Sequence, residues 1–283
     1  YLGWKFFCDE GIVMGLAALG NPYAKIKSTR YIDVFRKIIK IDKKRKIKID
    51  ESWISYHLQR NKWVSDKFLK FFGKKREFDG KISQNHKNIA AALQLRLEEV
   101  ILNQLKFYKK KFNISNLCFS GGVALNCSLN GKIENSRLFK KIDITPASGD
   151  QGQAIGACYL GHKNKYPNFK FDNSNNYYLG SSFSKTFIKK TLLKFEKKIL
   201  FEDLKNRIFD KTAKLISNGK IIAWFQGKAE FGPRALGNRS ILCKPYPIAM
   251  KDYINKRVKF REPFRPFAPA VLEEFQSIFF ESS

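Results

Sequence analysis

The chain has 283 residues, the length of two ordinary domains, and carries 54 Lys and Arg against 25 Asp and Glu, a formal net charge of +29 at pH 7. Hydrophobic residues make up 43% of it, with 26 Phe, 11 Tyr and 4 Trp, which excludes an intrinsically disordered chain. The longest smooth apolar stretch, residues 11–19, is about half of the roughly 20 residues that a membrane-spanning helix needs.

The chain begins with a glycine-broken apolar loop, residues 9–22, followed by a lysine-rich aromatic segment, residues 23–80. The weak periodicity of this segment favours an irregular, largely helical insert. Its densest basic run, residues 37–48, alternates with Ile and is typical of an amphipathic strand or helix edge. Since 13 of the 54 basic residues are Arg and the other 41 are Lys, the charge is interpreted mainly as solvated surface. A nucleic-acid footprint would form a concentrated patch.

A helix is predicted over residues 88–111, where apolar residues recur at spacings of three and four. A strand, residues 116–120, then leads through a glycine turn into a short helix from Val123. A second strand, residues 141–146, leads into a helix over residues 151–161. Repeated strand–loop–helix units predict an α/β sheet whose ligands bind at the loops after the strands.

Residues 166–184 are rich in Pro, Asn, Ser and Tyr, which is typical of a domain boundary. A helix around residues 201–217 and a strand over residues 220–227 are predicted to follow. The remaining block is rich in Gly, Pro and Arg and is interpreted as part of a second domain.

Two of the loops after strands have the composition of anion sites. The first contains Gly121 and Gly122, and the second, residues 148–152, has a similar Ser-Gly start beside Asp150. Glycines let the backbone approach a phosphate, and a following helix N-terminus favours negative charge. A lone glycine pair is more typical of a tight turn, but two such loops on one sheet edge would bracket a nucleotide. Asp150 is interpreted either as a helix cap or as an oxygen ligand for a metal.

The arginines of the last block are the second candidate site. Arg234 and Arg239 stand in a Gly- and Pro-rich loop, residues 230–240, while Lys259 and Arg265 stand among Phe and Pro residues further on. Arg can bind phosphate or carboxylate through two parallel hydrogen bonds, which Lys cannot do. A surface cluster paired with neighbouring glutamates is the alternative, but the rigid surroundings favour a phosphate clamp.

Familiar catalytic motifs do not occur in the sequence. Its three histidines are not in metal-binding spacing, and it has no GxSxG or GxxxxGK[ST] loop. His57 and His86 are interpreted as surface residues. The expected chemistry is electrostatic, with Arg, Lys and backbone amides clamping phosphoryl or acyl-phosphate groups.

The five cysteines are widely spaced and form no CxxC pair. The apolar or small residues around four of them predict buried, reduced thiols and a cytoplasmic protein. The chain starts at Tyr1, without Met, and is interpreted as a piece of a longer protein.

Five segments, in this order, resemble the O-carbamoyltransferase family, which includes nodulation-factor, cephem and tobramycin carbamoyltransferases. They are DEGIVMGLAALG, FSGGVALNCSLNGKI, ITPASGDQGQAIGACYLG, WFQGKAEFGPRALGNRSIL and INKRVKFREPFRPFAPAVLEE. Together they extend over nearly the whole chain except residues 23–85, and five ordered motifs are more specific than any one of them.

The resemblance implies an α/β fold in two parts. Residues 1–178 would be the C-terminal portion of an actin-like, threonylcarbamoyl-transferase-like domain, and residues 179–283 the N-terminal portion of a YrdC-like domain. In the family's scheme, the YrdC-like part reacts carbamoyl phosphate with ATP, accompanied by Mg²⁺, to give carbamoyl adenylate and pyrophosphate. The actin-like part, with bound Fe(II), then carbamoylates a hydroxyl of a small-molecule or sugar acceptor. Neither a membrane nor a nucleic-acid partner is expected.

The resemblance also implies four groups of site residues. Three would bind carbamoyl phosphate and act in catalysis: Arg234, Lys259 and Arg265. Two would lie beside them: Arg239 and Ser240. Four would line the adenylate cleft: Gly121, Gly122, Asn126 and Glu10. One would be a metal ligand: Asp150.

Three departures from the family pattern bear on these roles. The family's metal site also takes an HxxxH pair from sequence before Tyr1, so this chain alone is not expected to hold the iron. Lys244 precedes Pro245 where the family has Asp. The YrdC-like part is cut short, so the chain is expected to be a fragment or a truncated product of a larger carbamoyltransferase.

Two alternatives stay open. A tRNA threonylcarbamoyl-adenylate-type enzyme would depend on threonine and bicarbonate, although the related transferase lacks the Arg- and Pro-rich block. A non-catalytic nucleotide- or RNA-binding protein would bind RNA with steep salt dependence.

Overall fold

The structure is a computed structural model that describes residues 1–170 and 176–280, and its mixed helices and strands confirm an α/β composition. The helices are α1 (Glu10–Ala17), α2 (Tyr31–Ile38), α3 (Asp66–Phe72), α4 (Gln84–Phe112), α5 (Cys127–Asn135), α6 (Gly152–Lys165), α7 (Lys185–Lys194), α8 (Ile208–Ser217), α9 (Ala249–Arg257) and α10 (Gln276–Phe279). The strands are β1 (Lys25–Ile26), β2 (Thr29–Arg30), β3 (Ile39–Ile41), β4 (Ile47–Ile49), β5 (Asn116–Cys118), β6 (Lys141–Asp143), β7 (Ile222–Phe225) and β8 (Arg239–Leu242).

The described strands pair two by two. β1–β2, β3–β4 and β7–β8 are antiparallel, whereas β5 and β6 are parallel, with Asn116 opposite Lys141 and Cys118 opposite Asp143. A parallel pair needs a crossover connection, and α5 lies within it. Because both strands run in the same direction, the chain leaves them at the same edge.

The chain divides into two compact units. The first unit contains Tyr1–Cys118, Asn126–Asp143 and Phe260–Ser283, and the second contains Phe119–Leu125 and Ile144–Lys259. A domain boundary at residue 178 stays a prediction.

The core of the first unit lies around α4, against which α1 and α2 pack. Small residues on α4, Ala90 and Ala92, are fully buried and allow close approach of the neighbouring helices. Leu16 of α1 is also fully buried, in a cluster with Ala90. Beside them lies a second cluster, rich in aromatic rings: Tyr31, Val34, Phe35, Ile38, Trp53, Phe68, Phe72, Ile89 and Ala92.

The first turn of α4 is fixed by a capping box. Ser83 Oγ accepts a hydrogen bond from the His86 backbone N–H, and His86 Nδ1 accepts one from the Ser83 backbone N–H at 3.1 Å. Burial, together with the positive charge of Arg76 and of the N-terminus, lowers the pKa of His86. The ring of His86 therefore lies half-buried at the start of α4, where it takes part in the helix cap.

Residues 23–80 are less helical than predicted. Two β-hairpins, β1–β2 and β3–β4, accompany α2 and α3. In the second hairpin Ile39 and Ile41 face Ile49 and Ile47 across the pair, so the alternation of Lys with Ile follows the two-residue period of a strand.

The second unit buries few side chains. In the part of the chain that the structure describes, α6, α7 and α8 contain no buried residue. Buried thiols are contradicted across the chain: Cys8, Cys118, Cys127 and Cys158 are exposed and Cys243 is half-buried, and all five are free. Cys118 ends a strand with one partner and Cys158 lies on α6, so neither is covered. No described helix combines the length and apolar character that crossing a membrane requires.

Candidate functional site

The two glycine loops are joined in the second unit through one carbonyl. The backbone N–H of Gly121 donates to the Ser148 carbonyl at 2.8 Å, and Ser120 Oγ donates to the same oxygen at 3.2 Å. Ser148 is 2% exposed, and its hydroxyl donates to the Thr145 carbonyl. The loop after β5 and the loop after β6 therefore lie side by side, held by a buried backbone acceptor.

The glycines of the first loop face open space. A Cβ placed on Gly121 or Gly122 would meet nothing within 4 Å. Gly121 has a φ of +97°, a conformation that residues with a side chain rarely adopt. The turn therefore requires glycine by its backbone conformation, and the exposed surface leaves room for a ligand to approach the chain.

The arginine loop, residues 230–239, packs against the same place. Gly232, with a φ of +117°, lies so close to the 146–147 turn that a Cβ on it would be 3.2 Å from the Pro146 carbonyl oxygen. The same Cβ would lie 3.3 Å from Ala147 Cβ. Since residues 146–147 lead directly into Ser148, the second unit brings the arginine loop and both glycine loops together.

A carboxylate holds the arginine loop from inside. Glu230 Oε1 accepts hydrogen bonds from the backbone N–H groups of Leu236, Asn238 and Arg239 at 2.8, 2.7 and 3.1 Å. Partial burial raises the pKa of the Glu230 carboxyl, but these backbone hydrogen bonds outweigh it and lower the pKa to about 2. Glu230 is therefore ionised at neutral pH, with its charge held by amides of its own loop.

Arg239 also binds inside the loop. Its guanidinium donates to the carbonyls of Gln226, Gly227, Asn238 and Ser181 at 2.6, 3.2, 3.0 and 3.2 Å. It also lies 3.5 Å from the ring centroid of Phe225. Its neighbour Ser240 lies within β8, opposite Trp224 of β7. Through these contacts the Arg239 side chain stabilises the base of the loop.

Arg234 has a different environment. It lies at the exposed tip of the loop, between Gly232 and Gly237, both of which have positive φ. Within residues 1–170 and 176–280 its guanidinium makes no hydrogen bond or ion pair. All its donors are thus available to an anion in solution.

The other two predicted phosphate ligands lie in different units. Lys259, in the second unit, is exposed just after α9, and its backbone N–H donates to the Ile254 carbonyl at 2.8 Å. Arg265, in the first unit, lies 3.8 Å from Glu262, whose carboxylate also accepts from Trp4 Nε1 at 3.0 Å. Glu262 thus connects Arg265 to the first residues of the chain.

Two residues predicted for the adenylate cleft serve local structure in the first unit. Asn126 caps α5 by accepting from the Leu129 N–H at 3.0 Å and exchanges two side-chain hydrogen bonds with Gln94 of α4. Glu10 begins α1, is exposed, and accepts from the Phe7 N–H at 2.6 Å. Neither contact requires a ligand.

Asp150 by itself does not make a metal site. Its exposed carboxylate accepts from Gln153 Nε2 at 3.3 Å, and its carbonyl accepts from the Gln153 N–H at the start of α6. Among the described residues, no group of three or more His, Cys, Asp or Glu could hold a metal ion. The described residues therefore do not by themselves complete an iron site.

Sequence reasoning missed the two groups that organise the site, Ser148 and Glu230. Ser148 acts through its backbone carbonyl, which no side-chain pattern indicates. For Glu230 the sequence predicts no more than one of the glutamates that could pair with the surface arginines. The glycines at 232 and 237 predict a turn of the chain. They do not predict that the backbone N–H groups after the turn donate to the Glu230 carboxylate.

Two protein-family models match the chain, one in its N-terminal part and one in its C-terminal part. Residues 1–159 match the family described as carbamoyltransferase N-terminus, and residues 213–283 match carbamoyltransferase C-terminus. The chain is 36% identical over 281 residues to nodulation protein NolO of Bradyrhizobium diazoefficiens, covering 99% of this chain and 48% of that protein. It is 36% identical to nodulation protein NolNO of Sinorhizobium fredii, covering 99% of this chain and 39% of the relative. The chain thus spans about half the length, or less, of these curated relatives.

Proposed function

Because the chain belongs to the carbamoyltransferase family, as its five motifs predict, we propose that it is part of an ATP-dependent O-carbamoyltransferase. Carbamoyl phosphate is cleaved by water to carbamate and inorganic phosphate, and a carbamate oxygen bonds to the α-phosphorus of ATP as pyrophosphate leaves. The carbamoyl group of this adenylate then passes to a hydroxyl oxygen of a small-molecule or sugar acceptor. AMP leaves, and the hydroxyl proton is released.

The observation that supports this function best is the meeting of the two glycine loops and the arginine loop in the second unit. Gly121 and Ser148 join the glycine loops, and Gly232 seats the arginine loop on the turn before Ser148. Carbamoyl phosphate, ATP and the carbamoyl adenylate of the proposed reaction all carry phosphoryl groups. Backbone that can be approached closely and an Arg with free donors are suited to bind such groups.

Each site residue takes the following part in this proposal. Arg234, Lys259 and Arg265 bind the phosphoryl group of carbamoyl phosphate, with Arg239 and Ser240 beside them. Gly121, Gly122, Asn126 and Glu10 line the adenylate cleft, where Mg²⁺ accompanies ATP. Asp150 offers one carboxylate, and since the described residues of this chain do not complete an iron site, we assign no step to iron. Residues 1–178 correspond to an actin-like portion and residues 179–283 to a YrdC-like portion.

The first test is the replacement of Arg234 by Ala in the full-length protein. Loss of charge-assisted hydrogen bonds to phosphate is expected to lower carbamoyl-phosphate-dependent pyrophosphate release about tenfold or more. Arg207→Ala is the matched control, because Arg207 is also exposed in the second unit and its side chain pairs only loosely with Glu202, at 3.7 Å. Arg207→Ala is expected to keep the wild-type rate.

The donor requirement separates this function from the other adenylate-forming reaction. Pyrophosphate release that needs carbamoyl phosphate supports the proposal. Release that instead needs threonine and bicarbonate would replace it with threonylcarbamoyl-adenylate formation. Equal rates for Arg234→Ala and the wild type would remove Arg234 from the site.

A further inference from the structure

We propose that Glu230 is a positioning residue for Arg234, a role that rests on the function proposed above. Its carboxylate holds the arginine loop in the shape that presents Arg234 to a phosphoryl group. Glu230 itself touches no substrate in this scheme, and it acts through the backbone N–H groups that follow Arg234.

The hydrogen bonds of Glu230 span the position of Arg234. Glu230 precedes Arg234 by four residues, and the amides that it binds, at Leu236, Asn238 and Arg239, all follow Arg234. One oxygen therefore closes the loop across its base, with Arg234 at the exposed tip. Hydrogen bonds to an ionised acceptor are about twice as strong as those between neutral groups, so three of them hold this shape firmly.

Other contacts also hold the loop in place. Arg239 binds carbonyls at residues 226 and 227, just before the loop, and Tyr178 Oη donates to the Leu236 carbonyl at 2.8 Å. Gly232 seats the outer side of the loop on residues 146–147. Glu230 differs from these contacts because its side chain belongs to the loop and accepts from three backbone N–H groups that follow Arg234.

The amides also explain how a carboxylate can lie next to a phosphate site. A free carboxylate would repel an incoming phosphoryl group or would pair with Arg234 and occupy it. No ion pair joins Glu230 and Arg234 among the described side chains. Because three N–H dipoles point at the Glu230 oxygen, its charge is balanced by the loop, and the guanidinium is left to the ligand.

The test is a double-mutant cycle in the full-length protein, measuring carbamoyl-phosphate-dependent pyrophosphate release. Glu230→Gln keeps the size of the side chain but removes its charge. We expect it to raise the KM for carbamoyl phosphate about tenfold, with a smaller change in kcat. If Glu230 acts only through Arg234, adding Glu230→Gln to Arg234→Ala changes the KM by less than twofold.

Glu196→Gln is the matched control, because Glu196 is an exposed glutamate of the same unit, and it should leave the KM unchanged. Unfolding temperatures are measured for every variant. Should Glu230→Gln fail to fold, the cycle is repeated with Glu230→Asp, which keeps the charge but shortens the reach.

The two levels of the proposal fail in different ways. A wild-type KM for Arg234→Ala removes Arg234 from the site, and the inference about Glu230 falls with it. A raised KM for Arg234→Ala together with a wild-type KM for Glu230→Gln overturns the positioning role alone. So does a cycle in which the effects of Arg234→Ala and Glu230→Gln multiply, because Glu230 then acts independently of Arg234.

Discussion

Two arginines of the same loop carry the same charge but differ in what their side-chain donors contact. Arg239 and Arg234 carry the same charge five positions apart in the sequence. The guanidinium of Arg239 is engaged with backbone carbonyls and with the ring of Phe225, whereas that of Arg234 projects from the loop tip. The large positive charge of the chain does not distinguish them, but their neighbours do.

The carboxylate of Glu230 makes stability depend on pH in a predictable direction. Its pKa is lowered from the ordinary 4.5 to about 2, so the stabilisation is fully present above pH 4.5 and is lost as the pH falls toward 2. The difference in unfolding free energy between the wild type and Glu230→Gln is therefore expected to shrink between pH 5 and pH 3. Urea unfolding at several pH values measures it.

Glu196→Gln serves as the reference in the same titration, since that side chain is exposed. A difference between the wild type and Glu230→Gln that stays constant from pH 5 to pH 3 would contradict the bonds to the three amides.

At the scale of elements, periodicity locates helices better than it locates their ends. The apolar pattern predicts a helix over residues 88–111, and the structure has α4 over Gln84–Phe112. The added first turn carries polar residues and is fixed by the capping box of Ser83 and His86, which spacing does not reveal. Strands β5 and β6 are likewise shorter than predicted, because their ends turn into the glycine loops.

The same limit applies to the candidate site. That the loops after β5 and β6 lie together follows from the rule for strand–loop–helix units, and Gly121 and Ser148 conform to it. The placement of the arginine loop against residues 146–147 is a contact between distant parts of the chain. No local pattern encodes such a contact, so sequence reasoning could name Arg234 but could not place it.

Replacement by Ala is expected to change the unfolding free energy in opposite directions at two glycines, one inside α1 and one just after it. A Cβ on Gly20 would lie 2.0 Å from the Lys87 carbonyl oxygen of α4, so Gly20→Ala must push the two elements apart. We expect a loss of about 1–3 kcal/mol in unfolding free energy. Gly11, inside α1, has open space around it, and Gly11→Ala is expected to gain about 0.5–1 kcal/mol through helix propensity.

Urea unfolding of the two variants and the wild type makes this comparison directly. Equal effects of the two substitutions would show that the close approach of residue 20 to α4 does not exist in solution.

For the molecule as a whole, burial is unevenly distributed. The largest cluster of buried residues lies in the first unit. In the second unit α6 and α7 leave apolar side chains exposed, with Leu160 at 64% and Phe187 at 55%. An apolar groove of about 240 Å³ lies there between Phe183, Phe187 and Phe225. Exposed apolar surface of this kind is typical of a face that contacts another part of a protein.

Sequence beyond this chain could cover the exposed apolar side chains of the second unit. The chain covers 48% of the NolO relative, so a protein of the relative's full length has further sequence to place against these helices. If the chain is part of a carbamoyltransferase of that length, as proposed above, the 283-residue chain alone is expected to bind the dye ANS strongly and the longer protein to bind it much less. Dye fluorescence at equal molar concentration measures the difference. Equal binding would mean that the apolar faces stay exposed in both.

The buried carbonyl of Ser148 also has a consequence for motion. It accepts from both Gly121 and Ser120, so neither glycine loop can swing away without leaving that oxygen unsatisfied. The two loops are therefore expected to move in concert, as one rigid piece. A ligand that orders the first loop therefore also orders the second. The conformational entropy of the two loops is then lost in one binding event.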